Sequence, residues 1–305
     1  MVVRRRRALT PLIEEFALAP VTGEPDRYRP GAHVTVRTPS GAMRRYSLVG
    51  ASGRDEYVIA VKREPASRGG SQSMHDDAKV GATLMVSPVE TEFELVEAED
   101  YLLIAGGIGV TPIYAMANHI ARDGGDFRII YVSRSAEDAA YLDDMAARFG
   151  DRLTVHHDEG SADNLYDFWD HFEKPTRAHV YCCGPKPLME EIEAISGHWP
   201  EGRVHFENFK PVEIVRADDV AFDVELARSA RRVHVPADRS ILEALRDAGI
   251  TASSSCESGT CGSCKTRLIS GDVDHRDMVL AEGEGDSAIM ICVSRARTGN
   301  LVLDL

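Results

Sequence analysis

Four cysteines near the end of the chain constrain its fold more than any other feature. In SSSCESGTCGSCKTRL, four residues separate Cys256 from Cys261 and two separate Cys261 from Cys264, and Cys292 follows in AIMICVSRA. Four thiolates in this spacing are typical of a plant-type 2Fe-2S cluster. A structural zinc site is the alternative, but zinc sites with four cysteines usually present two short, paired spacings. The single distant Cys292 therefore favours the iron-sulfur cluster.

The residues around these cysteines suit such a cluster. Its sulfurs accept hydrogen bonds from backbone N–H groups, and Gly259 and Gly262 let a loop turn closely where a Cβ would clash. Upstream, AFDVELARS and RRVHVPA alternate like the strands of a hairpin. SILEALRDAG then predicts a helix that Ser240 caps and Gly249 ends. Strand, strand, helix and cysteine loop is the order of a plant-type ferredoxin.

The middle of the chain has a pattern that is typical of a nucleotide-binding site. YLLIAGGIGVTPIYAMANHIA places an apolar strand before Gly106, Gly107 and Gly109, with Pro112 suited to the first turn of a following helix. A strand, a glycine turn and a helix N-terminus can cradle a phosphate. Taken alone the segment is equally consistent with a purely structural turn, because the third glycine of the dinucleotide fingerprint is missing.

Two more strand-to-loop transitions, FRIIYVSRS and AHVYCCGPKPLMEEIEAI, support the nucleotide interpretation. Each is followed by helix-like sequence, so we expect a parallel sheet flanked by helices. Ligands of such sheets bind beyond the carboxyl ends of the strands, where Thr111, Ser133, Cys183 and Gly184 would lie.

The first third of the chain consists of short alternating runs broken by Gly, Pro and Asp, which predicts a small antiparallel barrel. Arg44, Tyr46 and Ser47 lie in RRYSL, and the segment 68–73 reads RGGSQS. A guanidinium and hydroxyls can bind a phosphate, and paired glycines let the backbone approach an anion. The alternative is an ordinary arginine on a solvated strand.

Charge limits the partners. With 35 Lys+Arg and 49 Asp+Glu the formal net charge is −14, which argues against nucleic acid and anionic membranes and favours a basic protein partner. Solubility is an equally good reason for this acidity. The skewed cysteines do not suggest a disulfide framework, so we expect a reducing, cytoplasmic setting.

The sequence therefore predicts a multidomain protein with a β-barrel, an α/β parallel-sheet domain and an α+β (β-grasp) ferredoxin domain. The predicted ranges are 1–97 for the barrel, 98–210 for the nucleotide domain, 211–217 for a linker and 218–305 for the ferredoxin domain.

Together these motifs resemble the ferredoxin-reductase superfamily, and most closely the phthalate dioxygenase reductase and vanillate O-demethylase reductase family. The resemblance covers nearly the whole chain. It implies a flavin signature at Arg44, Tyr46 and Ser47, with the arginine on the flavin phosphate. It implies that the other cofactor contacts are made by Val61, Lys62, Gly70, Ser71, Ser73, Gly106, Gly107, Gly109, Thr111, Pro112, Ser133, Arg134, Cys183, Gly184, Pro185, Glu207 and Phe209.

The resemblance also implies a mechanism. Hydride would pass from NADH to the flavin near Thr111, Cys183 and Phe209, and single electrons would leave through the cluster, with no side-chain acid or base required. FMN is preferred to FAD, and NADH to NADPH, although Arg134 could favour a 2′-phosphate. The implied acceptor is a Rieske-type aromatic oxygenase or O-demethylase. The alternatives are another monooxygenase as acceptor, or a redox-sensing iron-sulfur flavoprotein.

Overall fold

A computed structural model describes residues 1–50, 55–65, 69–209, 216, 218–254, 257, 259, 262–281 and 283–305. The chain divides into two compact units, Met1–Phe209 and Lys210–Leu305. Across the described ranges, no helix is both long and apolar enough to cross a membrane. Apart from Arg216, the predicted linker at 211–217 lies outside the described residues.

The N-terminal part of the first unit is antiparallel. Three strands form one sheet in the order β1-β2-β5, and β3 pairs with β4, β6 and β7 in a second sheet. The strands are β1 (Val2–Ala8), β2 (Ile13–Ala19), β3 (Ala32–Arg37), β4 (Met43–Ser47), β5 (Tyr57–Lys62), β6 (Met85–Val86) and β7 (Glu90–Thr91), and one helix, α1 (Gly70–Asp77), follows β5. Alternate residues of both sheets, such as Phe16, Val34 and Ile59, are buried in a common core. The predicted barrel is confirmed.

The rest of the first unit is a parallel sheet, as predicted. Its strands lie in the order β10-β9-β8-β11-β12. Its strands are β8 (Asp100–Gly106), β9 (Asp126–Ser133), β10 (Leu153–His157), β11 (His179–Cys183) and β12 (Val204–Glu207). The helices are α2 (Val110–Asp123), α3 (Leu142–Phe149), α4 (Trp169–Phe172) and α5 (Lys186–Ser196), with short 3₁₀ turns at Gly107–Gly109, Ala136–Asp138, Gly150–Arg152 and Ala162–Asn164. Successive residues of β11 enter different cores, because Cys183 packs with one hydrophobic cluster and Cys182 with another.

A buried ionic contact joins the barrel to this sheet. The carboxylate of Glu15 accepts hydrogen bonds from Arg5 (2.9 Å) and Arg7 (3.1 Å) on the neighbouring strand, and from the Tyr141 hydroxyl (3.0 Å) across the boundary. Tyr141 has φ +61°, in the left-handed region that non-glycine residues rarely adopt. Arg5 and Arg7 therefore contribute, through Glu15, to the packing of the barrel against the nucleotide domain.

The second unit has a mixed sheet in the order β14-β13-β17-β15-β16. Its strands are β13 (Phe222–Leu226), β14 (Arg231–Val235), β15 (Lys265–Asp274), β16 (Ala288–Met290) and β17 (Arg295–Leu303), with helix α6 (Ile241–Asp247) and a 3₁₀ turn at Glu284–Asp286. β13 and β14 form the predicted hairpin. Ser240 and Glu243 form a capping box at the start of α6, and Gly249 follows its end with φ +70°. The predicted α+β ferredoxin fold is confirmed.

Candidate electron-transfer site

The glycine turn after β8 and the CGP turn after β11 lie side by side. A methyl group on Gly109 would lie 2.1 Å from the Cys183 carbonyl oxygen, and one on Gly106 would lie 2.6 Å from Pro185 Cδ. A methyl on Gly184 would lie 3.0 Å from Gly106 Cα. These glycines are needed because the two backbones touch where any side chain would separate them.

The first turn of α2 starts at the glycine turn. Thr111 is buried and its hydroxyl donates to the Ile108 carbonyl (3.1 Å), so it closes the turn. Pro112 lies in the first helical turn, where the absent N–H costs no hydrogen bond. Gly107 has φ +53° with open space where a Cβ would stand. The free N–H groups at the start of α2 therefore lie next to a turn that has no bulky side chains. This arrangement suits the binding of a nucleotide phosphate.

Ser133 and Arg134 lie at the carboxyl end of β9, as predicted, but in different surroundings. The Ser133 hydroxyl is buried and lies 2.8 Å from His157 Nδ1, whereas Arg134 is exposed. His156 instead contacts the Asn164 carbonyl through Nε2 (2.7 Å). The two histidines thus have separate partners.

Arg44 and the start of α1 form a cradle in the barrel. A methyl group on Gly70 would lie 3.0 Å from Arg44 Nε, so the arginine stem crosses the first helical turn. Gly69 precedes the helix with φ +85°. A guanidinium beside the N-terminal end of a helix, where the helix dipole is positive, suits the phosphate of FMN. Arg68, the first residue of the RGGSQS segment, lies outside the described residues.

The other residues of the second flavin segment are near this helix but differ in their contacts. Val61 is buried in the barrel core, and Lys62 pairs with Glu64 (3.0 Å). The Ser71 hydroxyl accepts a hydrogen bond from the Glu64 N–H (3.1 Å), and the Ser73 hydroxyl donates to the Gly70 carbonyl (2.9 Å). The two serine hydroxyls therefore hold the segment in place, in addition to any contact with a ligand.

Glu207 connects the two halves of the first unit. It stands opposite Cys183 in the β11–β12 register, and Arg45 and Ser47 of β4 lie near its carboxyl group. Burial raises the pKa of Glu207 to about 8, although Arg45 favours the ionised form. Burial also raises the pKa of the Cys183 thiol well above its usual value. Both groups are therefore neutral at pH 7.

Buried polar atoms without a hydrogen-bond partner of acceptable geometry lie on both faces of β4 and on Glu207. The Tyr46 hydroxyl, Ser47 Oγ and Glu207 Oε2 have no hydrogen-bond partner of acceptable geometry in the described ranges. Buried polar atoms are seldom left unpaired, so Ser47 and the neighbouring Glu207 suit a ligand that offers donors and acceptors. A flavin ring has such an edge. Phe209, which the resemblance placed over the flavin, is half-buried against the core that includes Cys183.

Two of the four predicted cluster cysteines lie among the described residues. Cys264 and Cys292 are both buried, and neither forms a disulfide. The pairing of Lys265 with Met290 between β15 and β16 brings them to the same end of that hairpin. Gly259 and Gly262 have φ values of +77° and +76°, so both turns need glycine, as the loop argument expected. Cys256 and Cys261 lie outside the described residues.

Arg45 was not among the predicted site residues, but it lies beside Glu207 and donates to Glu92 (2.6 Å). The RRYS motif drew attention to Arg44 alone, although adjacent strand residues face opposite sides. His33, Glu90 and Glu92 could together offer ligands to a metal ion, but the guanidinium of Arg45 already contacts this group, at 3.2 Å from His33 Nδ1. The guanidinium of Arg45 therefore supplies the positive charge beside these acidic groups.

Comparisons with known families agree with these two sites. Residues 103–194 match the oxidoreductase NAD-binding domain, and residues 224–297 match the 2Fe-2S iron-sulfur cluster binding domain. The matched segments contain the glycine and CGP turns and all four predicted cluster cysteines.

Full-length relatives match the whole arrangement. The chain is 51% identical to the phthalate 4,5-dioxygenase oxygenase reductase subunit of Pseudomonas putida, over 90% of this chain and 86% of the relative. It is 46% identical to the phthalate dioxygenase reductase of Burkholderia cepacia, over 96% and 93%. A solved phthalate dioxygenase reductase structure superposes with a TM-score of 0.90 at 44% identity, covering 100% of this chain and 97% of that one. The chain belongs to the phthalate dioxygenase reductase family of oxygenase reductases.

Proposed function

We propose that this chain passes electrons from NADH, through FMN and a 2Fe-2S cluster, to a Rieske-type aromatic-ring oxygenase or O-demethylase. The observation that carries the proposal is the meeting of Ser47, Glu207 and Cys183 beside the nucleotide turn. Flavin supplies the conversion of a two-electron hydride transfer into single-electron steps, and the cluster supplies the one-electron exit. A cytoplasmic setting is part of the proposal, because cluster thiolates must stay reduced.

The proposed roles of the chain's own residues follow from their contacts. Arg44 and the first turn of α1 would hold the FMN phosphate, and Tyr46 and Ser47 would bind the ring through their unpaired hydroxyls. Gly106 and Gly109 would let the NADH pyrophosphate approach the backbone at α2. Cys183, Gly184 and Pro185 would place the nicotinamide, with Phe209 excluding water. Cys256, Cys261, Cys264 and Cys292 would hold the cluster.

An anaerobic NADH titration of the purified protein tests the route. We expect a flavin band and a cluster band that both bleach with NADH, and FMN rather than FAD on release of the flavin. NADPH should give a much smaller kcat/KM than NADH. Arg44→Ala should lose flavin affinity, whereas Arg4→Ala, an exposed arginine on β1, is the matched control.

Two outcomes would contradict the proposal. A chain without flavin, or one that reduces cytochrome c with NADH no faster than free flavin does, would leave the redox-sensor alternative. A chain that reduces cytochrome c but drives no aromatic-ring oxygenase would indicate a different monooxygenase as acceptor. Phthalate dioxygenase of Burkholderia cepacia, supplied with phthalate, is the first oxygenase to try, because its reductase is 46% identical to this chain.

A further inference from the structure

The loop between β15 and β16 exposes apolar side chains. Met278 is 70% exposed and Val279 is 37% exposed. A methionine presented to solvent to this extent adds nothing to the core, and it is a flexible, polarisable residue suited to contact surfaces. The stability of the fold therefore does not explain why Met278 is exposed to solvent.

These side chains lie against the cluster loop. The Met278 N–H donates to the Gly259 carbonyl (3.0 Å), and a methyl group on Gly262 would lie 3.4 Å from Val279 Cγ1. Both glycines stand between cluster cysteines in the sequence. The exposed apolar pair is therefore adjacent to the segment that would hold the cluster.

The loop is held in a fixed conformation by Asp277. Its Oδ2 accepts hydrogen bonds from the N–H groups of Val279 (3.2 Å) and Leu280 (2.9 Å), and its Oδ1 accepts one from the Ser294 hydroxyl (3.3 Å). Ser294 lies two residues after Cys292. Met278 is thus presented on a preorganised turn, which reduces the entropy that a partner would have to overcome on binding.

The charge of the ferredoxin part is concentrated in the same loop. Residues 272–286, here called the acidic loop, contain six acidic residues and one arginine. The remainder of 218–305 contains nine acidic and nine basic residues, so the loop carries the whole acidic excess. Asp274 is bonded to the buried Arg276, the Asp277 side chain is only 2% exposed, and Glu284 pairs with Lys265. The negative charge that the loop presents to solvent therefore comes from exposed side chains such as Asp272 and Asp286.

We propose that the acidic loop, with Met278 at its centre, is the docking face for the electron acceptor. The fitting partner is a protein surface with a small apolar patch ringed by Lys and Arg. An apolar centre within a charged rim is the usual composition of a transient interface, and the charge complementarity would speed the encounter. The inference rests on the proposed function, and it adds where the acceptor binds and by which chemistry.

The test measures binding separately from turnover. Phthalate dioxygenase from Burkholderia cepacia is immobilised, and the Kd of the oxidised, fully loaded reductase is measured at low salt by biolayer interferometry. We expect Met278→Ala to raise Kd about fivefold and Asp286→Lys about tenfold. At 0.5 M NaCl the Asp286→Lys effect should largely disappear because of screening.

Matched controls lie elsewhere in the same unit. Ile269 is 51% exposed on β15, so Ile269→Ala removes a comparable exposed apolar side chain. Glu225→Lys on β13 makes the same charge change as Asp286→Lys at another exposed position. Both controls should keep the Kd of the unmodified chain.

Stopped-flow reduction by NADH without the oxygenase completes the test. The flavin and cluster bands of the Met278→Ala and Asp286→Lys variants should be reduced as fast as in the unmodified chain. Slower cluster reduction would overturn the inference, because the loop would then face the chain's own flavin unit. Unchanged Kd values in both variants would overturn it as well. No binding by the unmodified chain, with normal NADH oxidation, would count against the proposed acceptor class, and the docking inference would fail with it.

Discussion

A buried ion-pair network in the ferredoxin part allows a sharp stability prediction for Asp219→Asn. The Asp219 carboxylate accepts hydrogen bonds from Arg276 (2.9 and 2.5 Å) and lies 3.5 Å from Arg295 Nε. The three side chains are only 7%, 3% and 1% exposed. The substitution removes the charge that both arginines share.

The magnitude follows from the carboxyl's own titration. Hydrogen bonding to Arg276 lowers the pKa of Asp219 from 3.8 to about 2. At neutral pH, well above both values, this shift corresponds to about 2 kcal/mol of folding free energy at 1.36 kcal/mol per unit. Removing one partner of a buried pair costs about 3–5 kcal/mol, because the other charge is left uncompensated. Since Arg276 keeps Asp274, we expect a loss of about 3 kcal/mol.

Two optical signals separate the units. Both tryptophans, Trp169 and Trp199, lie in the first unit, whereas cluster absorbance reports the second. In thermal melts at one scan rate, a loss of about 3 kcal/mol should lower the cluster-bleaching midpoint by more than about 10 °C. The tryptophan transition should not move.

The control and the refuting result are equally specific. Asp223→Asn removes a carboxylate that pairs with the well-exposed His234, so its cluster midpoint should stay within about 2–3 °C of the unmodified chain. The reasoning is wrong if Asp219→Asn melts like Asp223→Asn, or if both optical transitions fall together.

Three further predictions concern the first unit, each measured by tryptophan fluorescence in urea on the flavin-free chain. Gly109→Ala should lower the free energy of unfolding by about 1–3 kcal/mol, because its methyl group would lie 2.1 Å from a backbone oxygen; Gly197→Ala, with its nearest atom at 3.8 Å, should be neutral. Tyr141→Phe should cost about 1.5–3 kcal/mol, since it removes a hydrogen bond to the buried carboxylate of Glu15, and a loss below about 0.5 kcal/mol would contradict this. Glu207 should make the unmodified chain less stable as pH rises from 5 to 8. In the folded chain its carboxyl has a pKa of about 8 and keeps its proton, whereas in the unfolded chain, with a pKa near 4.5, it releases the proton. The free energy of unfolding should therefore fall by about 1.4 kcal/mol for each pH unit in this range. Glu207→Gln should flatten that fall, and equal slopes in the two chains would refute the assignment.

Local patterns predicted the elements because they depend on neighbours in sequence. The alternation of AFDVELARS, the cap at Ser240 and the strand-glycine-helix order at Gly106 each follow from short-range preferences. The cysteine spacing predicted the cluster for the same reason, since ligands two and four residues apart share one loop.

Short-range sequence patterns could not predict the contacts between segments that are distant in the sequence. Nothing near Glu207 in the sequence indicates that it lies beside Ser47, because that contact depends on how the barrel packs against the parallel sheet. Asp219 likewise adjoins the predicted linker, yet it is bonded to Arg276, 57 residues away. The family resemblance supplied Glu207, but only the folded chain accounts for its raised pKa.

The neutral state of Glu207 and Cys183 explains how the proposed site can work without an acid or a base. Hydride transfer brings negative charge into the site, and an ionised carboxylate or thiolate there would oppose it in a medium of low dielectric constant. Burial holds the Glu207 carboxyl protonated below a pKa of about 8 and keeps the Cys183 thiol neutral. In the ferredoxin part, by contrast, the carboxylates of Asp272 and Asp286 are exposed in the proposed docking loop. Glu207 and Cys183 thus add no negative charge where the hydride would arrive, whereas Asp272 and Asp286 expose negative charge where a basic acceptor would dock.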